Sequence, residues 1–258
     1  EVTIHQNAKN TKNRPSHNWS MERLRFILRR QVSKVKIEIS IKRQKSQDET
    51  PYVQTFNYEG DGNLTVAEWL TEVNKNEAKT DRIAWECGCL EKKCGACAML
   101  INGYPSLACS VFLRKAAKRG KIHLEPFHKF PVIKDLMVDR SMIFETMKEM
   151  KLWLMEKNQS DYTWNRDLQY KAGQCLQCGC CLEVCPNFLS GEQFSGASAM
   201  VEASRAIEQN TRDEHKKEMK EEYQKRFFNY CGQSLSCKSV CPQKLPLDEI
   251  QARVNSHK

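Results

Sequence analysis

The sequence predicts an α+β unit followed by an all-helical unit. Apolar and polar residues alternate with a period of two only in the first half. Beyond Lys134 the apolar residues recur at helical spacing between cysteine-rich loops. At 258 residues the chain has length enough for two domains with separate cores. The expected division is a basic N-terminal arm over residues 1–33, a metal-bearing α+β unit over 34–130 and a helical unit over 131–258, with Pro126 and Pro131 bracketing the change of character.

Residues 35–42 alternate for eight positions and read as a half-buried strand, and residues 52–58, rich in aromatic and branched side chains, read as its hairpin partner. After a turn at residues 60–63, Thr65 and Glu68 form a capping-box pattern opening a short helix, with Val66, Trp69, Leu70 and Val73 on one face. A cysteine loop over residues 87–97 leads into a strand at 98–101, a turn at Asn102-Gly103 and a further strand at 121–124. In the second half one helix is expected from Met142 to Lys157 and another over 197–209. A third, opened by a capping box at Thr211 to Glu214, should run to about Phe228, and a short last helix should start at Pro246.

Composition narrows the function. Hydrophobic content of 40% with 28% charged residues fits a folded globular chain and argues against disorder. No window approaches eighteen uninterrupted apolar residues, so membrane contact is expected only through a partner. The net charge of +9 draws partly on Arg23 to Arg30, where four arginines interleave with Leu24, Phe26, Ile27 and Leu28, a docking arm or a solvated segment. The first residue is Glu rather than Met, so a start further upstream is expected and compartment must be argued from chemistry. Thirteen cysteines cannot all pair within one chain, and their crowding favours metal over disulfides and hence a reducing compartment.

Cys89, Cys94, Cys97 and Cys109 fall at C-x4-C-x2-C-x11-C, the plant-type ferredoxin spacing for a 2Fe-2S cluster. Gly88, Gly95 and Ala96 are small enough for backbone N–H groups to approach the sulfurs. Zinc is the alternative for such a loop, although structural zinc more often uses paired C-x2-C knuckles. Cys87 fits no slot and is expected to be a small buried residue.

Cys175, Cys178, Cys181 and Cys185 stand at C-x2-C-x2-C-x3-C before Pro186, the bacterial ferredoxin run, whose fourth cysteine ligates the other cluster of a pair. The same template laid on the last run puts Cys231, Ser234, Cys237 and Cys241 in its four slots before Pro242. Crossing the last ligands gives Cys175, Cys178, Cys181 and Cys241 to a 4Fe-4S cluster. It leaves Cys185, Cys231 and Cys237 for a site with one thiolate fewer, which suits a 3Fe-4S cluster. Cys180 lies off the template and reads as structural; its promotion to a ligand, or ligation by the Ser234 hydroxyl, are the alternatives. Three clusters of different type make an electron wire rather than a set of staples. The chain shows no Gly-rich dinucleotide fingerprint and no nucleophile motif, so no catalytic residue is assigned and the chemistry at either end belongs to other subunits.

This three-part cysteine pattern, with the off-template Cys180 and the linker over residues 130–139, resembles the iron-sulfur subunit of succinate dehydrogenase and fumarate reductase over about residues 35–250. The resemblance implies a β-grasp, plant-type ferredoxin domain followed by an all-α ferredoxin-like domain. It also implies electron transfer through the 2Fe-2S, 4Fe-4S and 3Fe-4S clusters between a FAD-containing flavoprotein that interconverts succinate and fumarate and membrane quinone. The flavoprotein and one or more cytochrome b-type anchor subunits would be the partners, with haem in the anchors of the menaquinone-linked branch and no nucleic acid. The chain would be held at the inner face of an energy-transducing membrane, on its cytoplasmic or matrix side.

Some positions depart from the family's commonest pattern. Around the first cluster, Leu90 and Lys92 replace Arg and Gly. Lys92 either favours the reduced cluster or points to solvent. Leu189, Ser190 and Gly232 stand where many members carry a Trp pair and a His at the quinone pocket, so no quinone contact is assigned to them and the quinone is expected chiefly within the anchor subunits. Two other readings remain. The same wire could serve another flavoprotein, such as a soluble thiol-driven fumarate reductase or a hydroxy-acid or glycerol-phosphate dehydrogenase. From a different class, the net charge and C-x2-C pairs suit a zinc-stabilised nucleic-acid-binding protein, whose affinity would fall steeply with salt.

Overall fold

The computed structural model of the chain describes residues 34–155, 165–210 and 212–256. The basic arm of residues 1–33 and Thr211 of the expected capping box lie outside the described residues. The alternating residues form β1 (Val35–Arg43), which pairs antiparallel with β2 (Tyr52–Gly60) and buries Ile37, Ile39 and Ile41 on one face. The Thr65 capping box forms: its hydroxyl accepts from the Glu68 N–H at 3.2 Å, and the Glu68 carboxylate accepts from the Thr65 N–H at 2.7 Å. It opens α1 (Val66–Asn76), whose Val66, Trp69, Leu70 and Val73 are buried as the spacing predicts. The edge of Trp69 meets Phe56 of β2 at 5.8 Å between ring centroids.

β3 (Ala98–Ile101) and β4 (Tyr104–Leu107) form a hairpin through Asn102-Gly103, both left-handed with φ of 54° and 75°, as a two-residue primed turn requires. A 3-10 turn (Ala108–Ser110) and a single-turn α2 (Leu113–Ala116) lead to β5 (Lys121–Glu125). β5 runs parallel to β1 and antiparallel to β3, so the five strands stand in the order β2-β1-β5-β3-β4. The α+β expectation for the first half holds, with β4 and α2 added.

Residues after Pro131 depart from the helical expectation. β6 (Val132–Lys134) and β7 (Met137–Val138) form a short ladder before any helix starts. Its turn is tied to the first sheet. The Asp135 N–H donates to the Gln44 carbonyl at 2.7 Å and that of Leu136 to the Ala84 carbonyl at 3.0 Å. The buried Asp135 carboxylate accepts from Arg43 Nε at 2.9 Å, the Gln44 N–H at 3.1 Å and the Ala84 N–H at 2.8 Å. Arg43, 1% exposed at the end of β1, also donates to Gln54 and to Asp81 Oδ1 at 3.1 Å, so the buried charge is fully partnered. Burial disfavours its charge, and the hydrogen bond and charge of Asp135 outweigh that, holding the guanidinium above its ordinary pKa.

The helical half comprises α3 (Ser141–Glu149), α4 (Arg166–Ala172), the one-turn α5 (Cys180–Glu183), α6 (Gly196–Gln209), α7 (Asp213–Tyr223), α8 (Ser236–Val240) and α9 (Leu247–Asn255). α7 continues as a π turn (Gln224–Phe228), and Pro246 caps α9 as expected. α3 is shorter than the expected 142–157. Lys151 turns left-handed at φ 57°, its N–H donates to the Lys148 carbonyl and that of Leu152 to the Met147 carbonyl, both at 3.0 Å. This is a Schellman stop built on Lys rather than Gly. No helix among the described residues is long and apolar enough to cross a membrane.

Candidate metal centres

The loop between α1 and β3 curls because Leu90, Lys92 and Gly95 all take left-handed backbone, with φ of 56°, 60° and 78°. The curl turns N–H groups onto sulfur: those of Glu91 and Lys93 donate to Cys89 Sγ at 3.3 and 3.2 Å, and that of Cys89 to Cys94 Sγ at 3.4 Å. The Glu91 N–H, then that of Lys93, brings the Cys89 thiol down to about 7. Cys97, buried at the start of β3, meets Cys109 on the 3-10 turn, and burial pushes its thiol up to about 12. Cys89, Cys94, Cys97 and Cys109 are therefore neighbours.

Lys92 is exposed, and its carbonyl accepts from Gln243 Nε2 at 2.8 Å, so its contact with the rest of the chain is through its backbone. Cys87, expected to be buried, is exposed. It sits in irregular loop, where neither helical nor strand periodicity directs a side chain inward.

In the helical half, Cys175, Cys178 and Cys181 line one cavity together with Cys241 from the far end of the chain. Cys185, Cys231, Cys237 and Ser234 line a second, with Asn187, Gly232 and Gln251. α6 walls both: Ala197 faces each cavity, Ser198 and Val201 the first and Met200 the second. Small residues along this helix leave room on either side. Left-handed Gln177, Gly179, Gln233 and Leu235 bend the two cysteine runs around the cavities.

Burial raises Cys175 to about 12 and Cys237 to about 11, and also pushes the Cys181 thiol well above its ordinary value. Thiols held up by burial would become ligands only if a cation displaced the proton, so metal loading here would release protons. The Cys180 thiol lies fully buried beside Cys178, outside the cavity lining, and its hydrogen bond brings Cys178 down to about 7. Among the described residues no three such side chains converge tightly enough for a single metal ion, and cysteines grouped four, four and three, with backbone N–H groups aimed at sulfur in the first, have the soft-donor chemistry of the wider iron-sulfur clusters.

Two arrangements gave no signal in the sequence. Gly95 of the first loop packs directly on the second: a Cβ there would lie 2.9 Å from both Cys178 Cβ and the Leu176 carbonyl oxygen. Arg140 staples this junction, donating to the carbonyls of Gly95 at 3.2 Å, Ala96 at 2.9 Å and Cys178 at 3.3 Å while pairing with Glu86. The other is Gln251 of α9, whose Nε2 donates to Cys231 Sγ at 3.4 Å.

Compared with known protein families, residues 38–145 match the 2Fe-2S iron-sulfur cluster binding domain and residues 171–245 the 4Fe-4S dicluster domain. The chain is 33% identical over 232 residues to the succinate dehydrogenase iron-sulfur subunit of Bacillus subtilis, covering 85% of this chain and 91% of that protein. It is 28% identical over 211 residues to the fumarate reductase iron-sulfur subunit of Wolinella succinogenes, covering 76% and 85%. Among solved structures, a chain of the Mycobacterium smegmatis Sdh1 complex in the apo form shares the fold with a TM-score of 0.73 at 20% identity, covering 88% of this chain and 98% of that one.

Proposed function

The chain belongs to the iron-sulfur subunits of succinate dehydrogenase and fumarate reductase, and from that premise we propose that it wires a FAD-containing flavoprotein to membrane quinone through three clusters. In this reading Cys89, Cys94, Cys97 and Cys109 hold 2Fe-2S in a β-grasp domain over residues 34–130. In a helical domain over 131–258, Cys175, Cys178, Cys181 and Cys241 hold 4Fe-4S, and Cys185, Cys231 and Cys237 hold 3Fe-4S. The β6–β7 hairpin belongs by sequence to the second domain and by contact to the first, which makes it the strap between them.

When bound, the clusters would supply one-electron steps between two-electron partners. The chain's own residues keep the loops adjacent at Gly95, exclude water behind α6 and donate N–H groups to the sulfurs. Cytochrome b-type anchor subunits would hold the chain at the inner membrane face. Haem in those anchors and quinone binding within them fit the absence of the Trp pair and His from Leu189, Ser190 and Gly232.

The observation that carries the reading is the crossed grouping of cysteines: three of the first run share a cavity with Cys241, while Cys185 shares the other with Cys231, Cys237 and Ser234. Oxidised complex should give the EPR signal of a 3Fe-4S centre, and dithionite should bring up that of 2Fe-2S. Ser234→Cys supplies the missing thiolate, and the oxidised 3Fe-4S signal should disappear as a fourth iron is retained. Persistence of that signal in a variant with full iron content elsewhere would remove Ser234 from the corner. Mass spectrometry of co-purifying subunits should find a flavoprotein and a membrane cytochrome; a partner flavoprotein without succinate or fumarate activity would redirect the wire.

A further inference from the structure

α9 turns one face inward, and its buried residues are Leu247, Ile250, Gln251 and Val254. That spacing is an apolar stripe with one amide in it. Gln251 is 8% exposed, and a primary amide at such a depth costs free energy unless it is partnered. Its partner is a sulfur: Nε2 donates to Cys231 Sγ at 3.4 Å, and Gln251 lines the same cavity as Cys185, Cys231, Cys237 and Ser234. A methionine or leucine would fill the stripe at no desolvation cost. Directing the amide at the thiolate is what the position gains from glutamine.

We infer that Gln251 is a positioning and tuning residue for the cluster held by Cys231, its N–H hydrogen bond favouring the reduced state and so raising the cluster's potential. Reduction adds negative charge that spreads onto the ligand sulfurs, so a donor at sulfur is stronger in the reduced state than in the oxidised one. Outer partners of ligands tune metal sites in this way. The consequence for electron flow is direct: raising the last cluster makes it the sink for electrons arriving from the other two and sets the driving force towards quinone. This inference rests on the proposal that Cys231 is a cluster ligand, but not on the cluster having three irons.

The test is an EPR-monitored redox titration of the purified complex carrying Gln251→Met, which keeps length and packing and removes the donor. The reduction equilibrium should fall roughly tenfold, a midpoint about 59 mV more negative for a one-electron couple, with the 2Fe-2S midpoint unmoved. Gln251→Glu, isosteric but with a carboxylate oxygen in the donor's place, should fall at least as far. It serves as the second variant if the methionine protein loses iron. A midpoint unchanged in either iron-replete variant overturns the inference. Wild-type complex lacking a 3Fe-4S signal but titrating with a Gln251-sensitive midpoint would instead overturn the three-iron reading and leave Gln251 as the tuner.

Discussion

Replacing Asp135 by alanine is expected to destabilise the protein by about 3–5 kcal/mol, because it strands the Arg43 guanidinium in the interior. Both side chains are 1% exposed. Arg43 would keep Asp81 and Gln54 but lose the carboxylate that shares its depth, since Asp81 is 57% exposed. The N–H groups of Gln44 and Ala84 would lose their acceptor as well. Urea unfolding of the purified protein, followed by tryptophan fluorescence, measures the loss. Asp135→Asn, which retains an acceptor without the charge, should fall between alanine and wild type. The double change Arg43→Met, Asp135→Leu should recover much of the loss, because the buried charge goes with its partner. A double variant no better than Asp135→Ala would mean that the hydrogen bonds to Gln44 and Ala84, rather than the ion pair, carry the strap.

The strap also shows what a sequence discloses and what it hides. Cysteine spacing is legible because ligand geometry fixes how many residues a loop needs between thiolates, so the template could be laid on both runs and Ser234 found in a cysteine's slot. β1 and α1 are legible for a similar reason, since each carries a full period of burial. β6 and β7 have three and two residues, too few for alternation to declare itself, and they exist because Asp135 and Leu136 find partners more than fifty residues upstream. The end of α3 carries no sequence signal because Lys151 takes the left-handed position that glycine usually holds. Cys87 is exposed for the opposite reason: the general tendency of cysteine to be buried has no hold in a loop with no burial pattern of its own. Nothing in the sequence singles out Arg140, just before α3, or Gln251 within α9, and only the fold shows that one spans two cysteine loops and the other meets a cysteine sulfur.

The junction at Gly95 carries the second large effect. Gly95→Val should separate the first two cluster loops, since even a single Cβ would stand 2.9 Å from Cys178 Cβ and from the Leu176 carbonyl, on backbone at φ +78° that β-branched residues avoid. Neither neighbour can yield cheaply: one is backbone and the other belongs to a proposed ligand. The expected result is loss of the magnetic interaction between reduced 2Fe-2S and 4Fe-4S, read as slower spin relaxation of the 2Fe-2S signal. Succinate should then reduce the later clusters more slowly, while the 2Fe-2S spectrum itself persists. Arg140→Met probes the same contact without steric load. It removes the donor shared by the Gly95, Ala96 and Cys178 carbonyls, of which Gly95 keeps the Ala98 N–H at 3.3 Å, at about 1–3 kcal/mol for an acceptor left buried and unpaired. It should weaken the coupling in the same direction, and less than valine does because the backbone contact at Gly95 survives. If Gly95→Val assembles both clusters with wild-type relaxation, the close approach of the loops is dispensable for transfer and the staple serves stability alone.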